Sequence, residues 1–158
     1  MSLYSPSLAA HVALLCASYQ HWTGASLLAA RLSNDAAVRA LADAPFAVLS
    51  HDTQPDPVFN YGNRLALNLF EMNWDEFTAL PSRASAEAVN QAERARLLAQ
   101  VSQHGYINDY SGIRIARSGR RFRISNAIIW NVLDAAGGYH GQAALIRTWQ
   151  PLTTGTST

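Results

Sequence analysis

Few polar residues of this 158-residue chain occur at spacings that support a reaction. No two of its five histidines are four residues apart, as metal ligands on one helix would be, and GxGxxG, P-loop, GxSxG, HExxH and CxxC motifs are absent from the sequence. His51 and Asp52 form the most suggestive titratable pair, but neighbouring strand residues point to opposite sides, so they are poorly placed as a base and its orienting group. The single cysteine, Cys16, falls mid-helix, which favours a small buried hydrophobe over a reactive thiol. We therefore expect no enzymatic activity.

The charges exclude further kinds of chemistry. All twelve basic residues are arginines, and eleven acidic residues bring the formal net charge to +1. Without lysine the chain lacks Schiff-base and P-loop lysine chemistry, and without an excess of positive charge we expect no nucleic-acid binding. Four arginines fall within residues 117–123, which indicates either a solvated hairpin tip or a contact with an anion. One cysteine fits a reducing, cytoplasmic compartment, and the absence of a run of about 18 apolar residues predicts no membrane span.

The elements that must position these residues begin with a helix. Apolar residues recur there every three or four positions, which places them on one stripe: Leu8, Val12, Leu15, Tyr19 and Trp22. We expect this stripe to pack on the body of the domain, and it could in addition form the seam of a homodimer. The remaining pattern predicts a helix at 34–42, strands at 46–50 and 58–61, a helix up to residue 70 capped by Asn63, a helix at 74–80 preceded by Asn73, and a helix at 86–104. It then predicts strands at 106–117, 120–133 and 142–149.

This pattern divides the chain into three parts. We expect residues 1–45 to form an N-terminal helical extension that packs on the sheet, residues 46–150 to form the domain proper, and residues 151–158 to form a disordered tail.

The hairpin formed by the predicted strands at 106–117 and 120–133 decides which side chains face the core. Ser118-Gly119 is typical of a two-residue turn, which makes Arg117 face Arg120. In that register one face is apolar but carries three polar residues, and the other face carries three arginines. The apolar face holds Asp109, Ser111 and Asn126 with Phe122, Ile124 and Trp130, and the opposite face holds Arg114, Arg121 and Arg123.

The three polar residues on the apolar face have two interpretations. An unpaired polar group there would cost about 1–3 kcal/mol. Either these side chains are satisfied by neighbours or buried water, as Ser111 and Asn126 could be by each other, or they line a cavity that holds a small ligand.

The order of these elements resembles the PAS fold, and the amino-acid sequences of several segments are similar to those of the MEKHLA domain family. The segments are HDTQPDPVFNYGN at 51–63, WDEFTALPSR at 74–83, YSGIR at 110–114, SGRRF at 118–122, Trp130, and GQAALIRTW at 141–149. The resemblance covers residues 8–150 and implies an α+β fold, with an antiparallel sheet, helices on one face and the N-terminal helix on the other. Such domains occur as small bacterial proteins, which this chain resembles, and at the C-terminus of plant class III homeodomain–leucine zipper proteins.

The resemblance also bears on cofactors. In light-sensing PAS relatives a cysteine of an Asn-Cys-Arg motif forms a flavin adduct, and residues 63–83 contain no cysteine. A haem-binding relative would need a histidine on a helix facing the sheet, and residues 63–103 contain none. The ligand is therefore unknown, and a flavin adduct and haem are disfavoured.

We expect a sensory or interaction module that binds a small molecule in a cavity between sheet and helices. Asp109, Ser111 and Asn126 would supply its polar contacts. Its apolar wall would comprise Phe59, Trp74, Phe77, Phe122, Ile124 and Trp130. The expected partners are a second copy of the chain, bound through the N-terminal helix, and a signalling or transcription protein.

Two alternatives stay open. The first is a small enzyme or ligand carrier on a cone-shaped α+β fold, for which Asp109 with His51 is the candidate titratable pair. The second is a ligand-free protein-interaction domain, in which the sheet–helix interface would be packed without a void.

Overall fold

The computed structural model describes residues 2–29 and 32–152, apart from the side chains of residues 88 and 89. The elements are α1 (Ala9–Thr23), α2 (Asn34–Ala42), β1 (Ala47–His51), β2 (Phe59–Gly62), α3 (Arg64–Phe70), α4 (Trp74–Phe77), α5 (Ala88–His104), β3 (Tyr106–Ile115), β4 (Arg121–Leu133), β5 (Tyr139–Ile146) and β6 (Thr148–Pro151). Short 3₁₀ helices at Pro6–Leu8 and Ser82–Ser85 come before α1 and α5. Of the expected disordered tail, residue 151 ends β6, and residues 153–158 lie outside the described part.

The strands form one antiparallel sheet in the order β2-β1-β5-β4-β3, and β6 pairs with the first part of β4. Helices α3, α4 and α5, which follow β2 in the chain, pack against one face of this sheet, called here the inner face. Helix α1 packs against the other, outer face, mainly on β4. The α+β architecture predicted from the sequence, with helices on one face and the N-terminal helix on the other, is confirmed.

The register of the β3–β4 hairpin differs from the predicted one by a single residue. Arg114 pairs with Phe122 rather than with Arg123, and Ala116 donates its backbone N–H to Arg120 O at 2.9 Å. The loop therefore has three residues, and its last residue, Gly119, donates its N–H to Ala116 O at 2.9 Å with a φ of 92°, where glycine is the residue of choice. A loop of three residues instead of two moves the side chains of β3 from Tyr110 to Ile115 to the other face. Ile107, beyond an irregularity in the register, still pairs with Ile129 on the inner face.

This shift overturns the predicted composition of the two faces. Tyr110 and Arg114 share the inner face with Ile124, whereas Asp109 and Ser111 are exposed. The alternation of β4 also breaks at Asn126, which is exposed at a φ of 54°. A residue in this left-handed conformation bends the strand, and no pattern in the sequence signals it.

Helix α1 covers the outer face through the predicted apolar stripe. Tyr19 meets Trp130 edge to face, with ring centroids 5.0 Å apart, and Trp130 Nε1 donates a hydrogen bond to Ser18 Oγ at 3.0 Å. At the end of the helix, Trp22 Nε1 donates to Asn131 O at 2.9 Å. The site prediction had placed Trp130 on the inner face, and the bend at position 126 explains why it lies on the outer one.

A histidine also packs between α1 and the sheet. His11 Nε2 lies 3.0 Å from Ser50 Oγ, which donates its own proton to Asn60 Oδ1, so His11 is the donor to Ser50. Burial, with a smaller contribution from His140, lowers the pKa of His11 to about 4. The fold therefore holds this ring in its neutral form.

Two asparagines start the short helices on the inner face, as the sequence predicts. Asn73 caps α4 in a reciprocal box with Glu76, at the surface. Asn63 caps α3 from a fully buried position and bonds more widely. Its Oδ1 accepts from the backbone N–H groups of Ala66 and Val48. Its Nδ2 donates to the backbone carbonyls of Leu41 and Phe46.

The core under the inner face is aromatic. Phe59 stacks on Phe77 with centroids 4.2 Å apart, and Phe70 lies edge to face with Phe122 at 5.3 Å. All four side chains are almost fully buried. This cluster closes one end of the space between the sheet and α5, which is where the candidate site lies.

Candidate functional site

The space between the inner face and α5 holds a cavity of about 60 Å³. Its wall is mostly apolar and includes Leu49, Phe59, Phe70, Leu98, Ile124, Ile129, Ala144 and Ile146. The polar side chains in the wall are those of His51, Ser85, Arg94, Tyr110, Arg114 and Gln142, with Ser50 at its margin. Ala144 is partly exposed in the middle of β5, between buried neighbours, because it faces this space.

Arg94 reaches the cavity from α5 and is 9% exposed. Its Nη2 donates to Ser82 Oγ at 2.5 Å, and the 3₁₀ turn that holds Ser82 is closed by Ser85 Oγ donating to Ser82 O. Burial lowers the pKa of Arg94 to about 10, and the positive charge of Arg114 contributes in the same direction. The guanidinium stays cationic at neutral pH, but the fold gives that charge an unfavourable environment.

Arg114 enters the cavity from β3 and is 8% exposed. Its Nη2 donates to the Tyr110 hydroxyl at 2.8 Å, and its guanidinium carbon lies 5.3 Å from the centroid of the same ring. Gly112 lies between the two residues, and a Cβ at this position would collide with the Tyr110 hydroxyl. Glycine at 112 therefore leaves room for the Tyr110–Arg114 pair.

Neither cavity arginine forms an ion pair within the described part of the chain. The arginines that do form ion pairs lie at the surface: Arg64 with Asp43, Arg83 with Asp56, Arg117 with Glu76, Arg120 with Glu71 and Arg121 with Glu87. At the hairpin tip, the exposed Arg117 and Arg120 form ion pairs with acidic residues of this chain, Glu76 and Glu71, near α3 and α4.

His51 closes the cavity at the end of β1. Its Nδ1 donates to Asp52 O at 2.9 Å, so in the neutral ring Nε2 carries the lone pair, and this buried atom has no hydrogen-bond partner. Burial lowers the pKa of His51, against the opposite effects of the Asp52 carbonyl and the adjacent Gln142 side chain, and the charge of Arg94 lowers it further. His51 therefore presents an acceptor without a partner in the same cavity as two guanidinium groups that lack a counter-ion.

Gln142 fixes α5 to the sheet at the other side of the cavity. Its Nε2 donates to Leu98 O at 3.0 Å, Ser102 Oγ at 3.1 Å and Asn131 Oδ1 at 3.1 Å. Asn131 Nδ2 in turn donates to Val101 O at 3.0 Å. These bonds hold the helix that carries Arg94 at a fixed distance from the strands.

The structure brings only part of the predicted site together. Phe59 and Ile124 line the cavity, and Phe77 and Phe122 pack behind it on neighbouring aromatic rings. Trp74 packs instead against Tyr61, with centroids 5.8 Å apart. The remaining predicted contacts lie outside the cavity: Asp109, Ser111, Asn126 and Trp130.

The prediction that polar residues 109, 111 and 126 face the cavity is therefore wrong, because of the three-residue loop and the bend in β4. Asp109 and Ser111 line a surface groove next to α5, so Asp109 does not meet His51 as the alternative enzyme hypothesis requires. Arg94, Arg114 and Gln142 line the cavity, and their place there does not follow from the sequence patterns. One sign of Arg114 is present in the sequence. Tyr110, Gly112 and Arg114 are spaced two residues apart, so on a strand they lie on the same face.

Among the described residues, no three His, Cys, Asp or Glu side chains cluster as metal ligands would. The cavity is far below the roughly 300 Å³ at which drug-sized pockets begin. Cys16 lies on α1 and not in the cavity wall, and burial raises the pKa of its thiol to about 11. The disfavoured flavin adduct and haem stay predictions. In the described chain, no helix has the length and apolar content that crossing a membrane requires.

Comparison with solved structures defines the class of fold. The structure of the light-state dimer of the fungal blue-light photoreceptor Vivid matches 92% of this chain and 99% of its own, at a TM-score of 0.63 and 14% identity. A PAS domain from Colwellia psychrerythraea matches 73% of this chain and 92% of its own, at a TM-score of 0.58 and 12% identity. The fold is PAS-like.

Sequence comparison then identifies the family. The family model described as the MEKHLA domain matches residues 9–151, and the chain belongs to this family. The homeobox-leucine zipper protein HOX9 of Oryza sativa subsp. indica is 27% identical over 85% of this chain and 16% of its own length. The homeobox-leucine zipper protein ATHB-9 of Arabidopsis thaliana is 28% identical over 92% of this chain and 18% of its own. The chain thus spans less than a fifth of these relatives.

Proposed function

We propose that this chain is a non-enzymatic sensory domain that binds a small molecule between the inner face and α5 and changes its contacts with another protein on binding. The cavity is the observation that carries this proposal. Interiors are normally packed to the density of organic crystals, and an apolar wall with a few convergent polar groups is typical of a ligand site. A filled interface, which the ligand-free interaction domain requires, would lack such a space.

The comparisons support the sensory part of the proposal. The neighbours with this fold include a blue-light photoreceptor, and the sequence relatives are named homeobox-leucine zipper proteins. A signalling or transcription protein is therefore the kind of partner we propose, in a cytoplasmic setting.

Native mass spectrometry of the protein purified from its own host tests ligand binding. We expect a bound mass that disappears in Ala144→Leu, because the longer side chain fills the cavity from the centre of β5. Ala99→Leu is the matched control, since it adds the same atoms at an exposed position of α5. If Ala144→Leu carries the same bound mass as the wild-type protein, the cavity is not the binding site and the proposal fails.

We also propose a homodimer through the exposed side of α1, supported by the dimeric state of the Vivid structure. Deleting α1 would uncover Trp130, so point changes are the better test. Ala13 and Ala17 are exposed one turn apart on α1, and Ala17→Arg should convert the dimer to a monomer in size-exclusion chromatography with light scattering. Ala99→Arg should have no effect, and a wild-type protein that is strictly monomeric contradicts the dimer.

A further inference from the structure

The cavity holds two positive charges for which the described chain supplies no counter-ion. Arg94 and Arg114 are both more than nine-tenths buried, and the charge of one acts on the other. An uncompensated buried charge costs several kcal/mol, whereas a paired one recovers much of that cost. Two such charges in one cavity indicate that an anion from outside the chain completes the arrangement.

The hydrogen-bond inventory points the same way. Each guanidinium has five N–H donors. Among the described contacts, Arg94 donates only to Ser82 Oγ. Arg114 donates to Ile113 O and to the Tyr110 hydroxyl. Each group therefore keeps donors for a planar acceptor, and a carboxylate matches the guanidinium fork with two parallel bonds.

The arginines need an acceptor on the ligand, whereas His51 needs a hydrogen-bond donor. Its Nε2 is a buried acceptor without a partner, in a ring whose Nδ1 proton is held by the Asp52 carbonyl. A bare carboxylate does not satisfy this atom, but a hydroxyl group on the same ligand does. The other titratable or polar side chains of the cavity wall include the cations Arg94 and Arg114 and the neutral Tyr110 and Gln142, and none of the wall is acidic. The neighbouring carboxylate of Asp52 also acts on the ring, but its oxygens accept hydrogen bonds from Gln54 and Val58 instead.

The rest of the wall limits the size and polarity of the ligand. Leu49, Leu98 and Ile129 offer only apolar contacts, and the volume of about 60 Å³ admits few non-hydrogen atoms. A phosphate would bring up to four oxygens into a wall that satisfies only some of them. A short hydrocarbon chain with one carboxylate fits this wall better.

We propose that the cavity binds a short-chain hydroxycarboxylic acid, with its carboxylate on Arg94 and Arg114 and its hydroxyl donating to His51 Nε2. The inference rests on the proposed function, because it names the class of ligand for the same cavity. It involves no covalent step, and the ligand is bound and released unchanged.

Isothermal titration calorimetry of the full chain at constant ionic strength tests it with a panel of probes. The probes are 2-hydroxybutyrate, 3-hydroxybutyrate, butyrate, butyramide and inorganic phosphate. We expect one of the hydroxybutyrates to bind about tenfold more tightly than butyrate, and butyramide and phosphate to give no measurable heat. Butyramide binding as tightly as butyrate, or phosphate binding more tightly than any carboxylate, overturns the inference.

Variants assign the contacts. Arg94→Gln and Arg114→Gln should each weaken the preferred hydroxybutyrate about 10- to 100-fold, the range expected for a hydrogen bond to a charged group. Arg96→Gln is the matched control, since Arg96 is exposed on the same helix. His51→Phe should remove the preference for the hydroxylated probe and leave butyrate binding unchanged. Equal losses in Arg94→Gln and Arg96→Gln contradict the assignment.

Two further measurements keep the test decisive. The melting temperature of each variant shows whether it folds, and Tyr110→Phe, which removes the acceptor of Arg114 but keeps the ring, should weaken binding even if one arginine variant is unstable. If no carboxylate binds while a different mass is retained in native mass spectrometry, this inference fails and the proposed function stands. If no probe binds and no mass is retained, both fail.

Discussion

Replacement of Asn63 by alanine should lower the free energy of unfolding far more than the loss of an ordinary helix cap does. The side chain is fully buried and makes four hydrogen bonds, two as acceptor and two as donor. Alanine would leave all four backbone groups without this partner. At about 1 kcal/mol for each bond, the loss is about 4 kcal/mol. That is a large part of the roughly 5–15 kcal/mol by which domains are stable.

Urea denaturation followed by circular dichroism measures this loss directly, and a thermal scan should show a fall of roughly 8–16 °C for a chain of this size. Asn73→Ala is the matched control, because Asn73 caps the next helix at the surface, where water replaces the lost bonds. We expect it to cost about 1 kcal/mol. Equal losses for the two variants would refute the view that Asn63 ties α2, β1 and α3 together.

Three further changes have defined outcomes. Gly112→Ala should lower the free energy of unfolding by about 1–3 kcal/mol, measured in urea, because the new Cβ meets the Tyr110 hydroxyl. Trp130→Phe should lower it by about 2 kcal/mol, since it opens a void under α1 and leaves the Ser18 hydroxyl without its donor. The pKa of His11, about 4 when folded and 6.5 ordinarily, means that the unfolded chain binds more protons between these values. Stability should therefore be complete above about pH 6.5 and fall towards pH 4, and His11→Gln should flatten this slope in urea titrations at pH 7, 6 and 5.

Each of these changes has a control at an exposed or half-exposed position. Ser111→Ala, next to Gly112 on β3, should change stability by less than about 0.5 kcal/mol. Trp149→Phe, on β6, should cost clearly less than Trp130→Phe, because Trp149 is only partly buried. His21→Gln, on the exposed side of α1, should leave the pH slope as it is in the wild-type protein. A control that moves as far as its partner would contradict the structural reason given for that partner.

Local patterns predicted most of the fold because they act over a few residues. The stripe from Leu8 to Trp22 has one helical period, and capping asparagines precede α3 and α4 in the sequence as in the structure. The order of elements then limited the arrangement of the sheet. These signals depend on spacing alone, so a single chain is enough to identify them.

The candidate site was less predictable because it depends on register. Gly119 fits a two-residue or a three-residue turn equally well, and that choice decides whether Asp109 or Tyr110 faces α5. Asn126 then reverses the faces again within β4. The role of Arg94 depends on how α5 is rotated over the sheet, which the weak apolar pattern of that helix does not specify.

Asn131 gives the two sides of the sheet a common point of attachment. Its backbone N–H donates to Gly105 O at the end of α5, its side chain donates to Val101 O, and its carbonyl accepts from Trp22 of α1. The Trp22 ring also fills the space where a side chain at position 105 would stand. The ends of the helix over the cavity and of the helix over the opposite face are therefore both attached to the same residue of β4. A displacement of the end of α5 would therefore strain the hydrogen bond between Asn131 and α1.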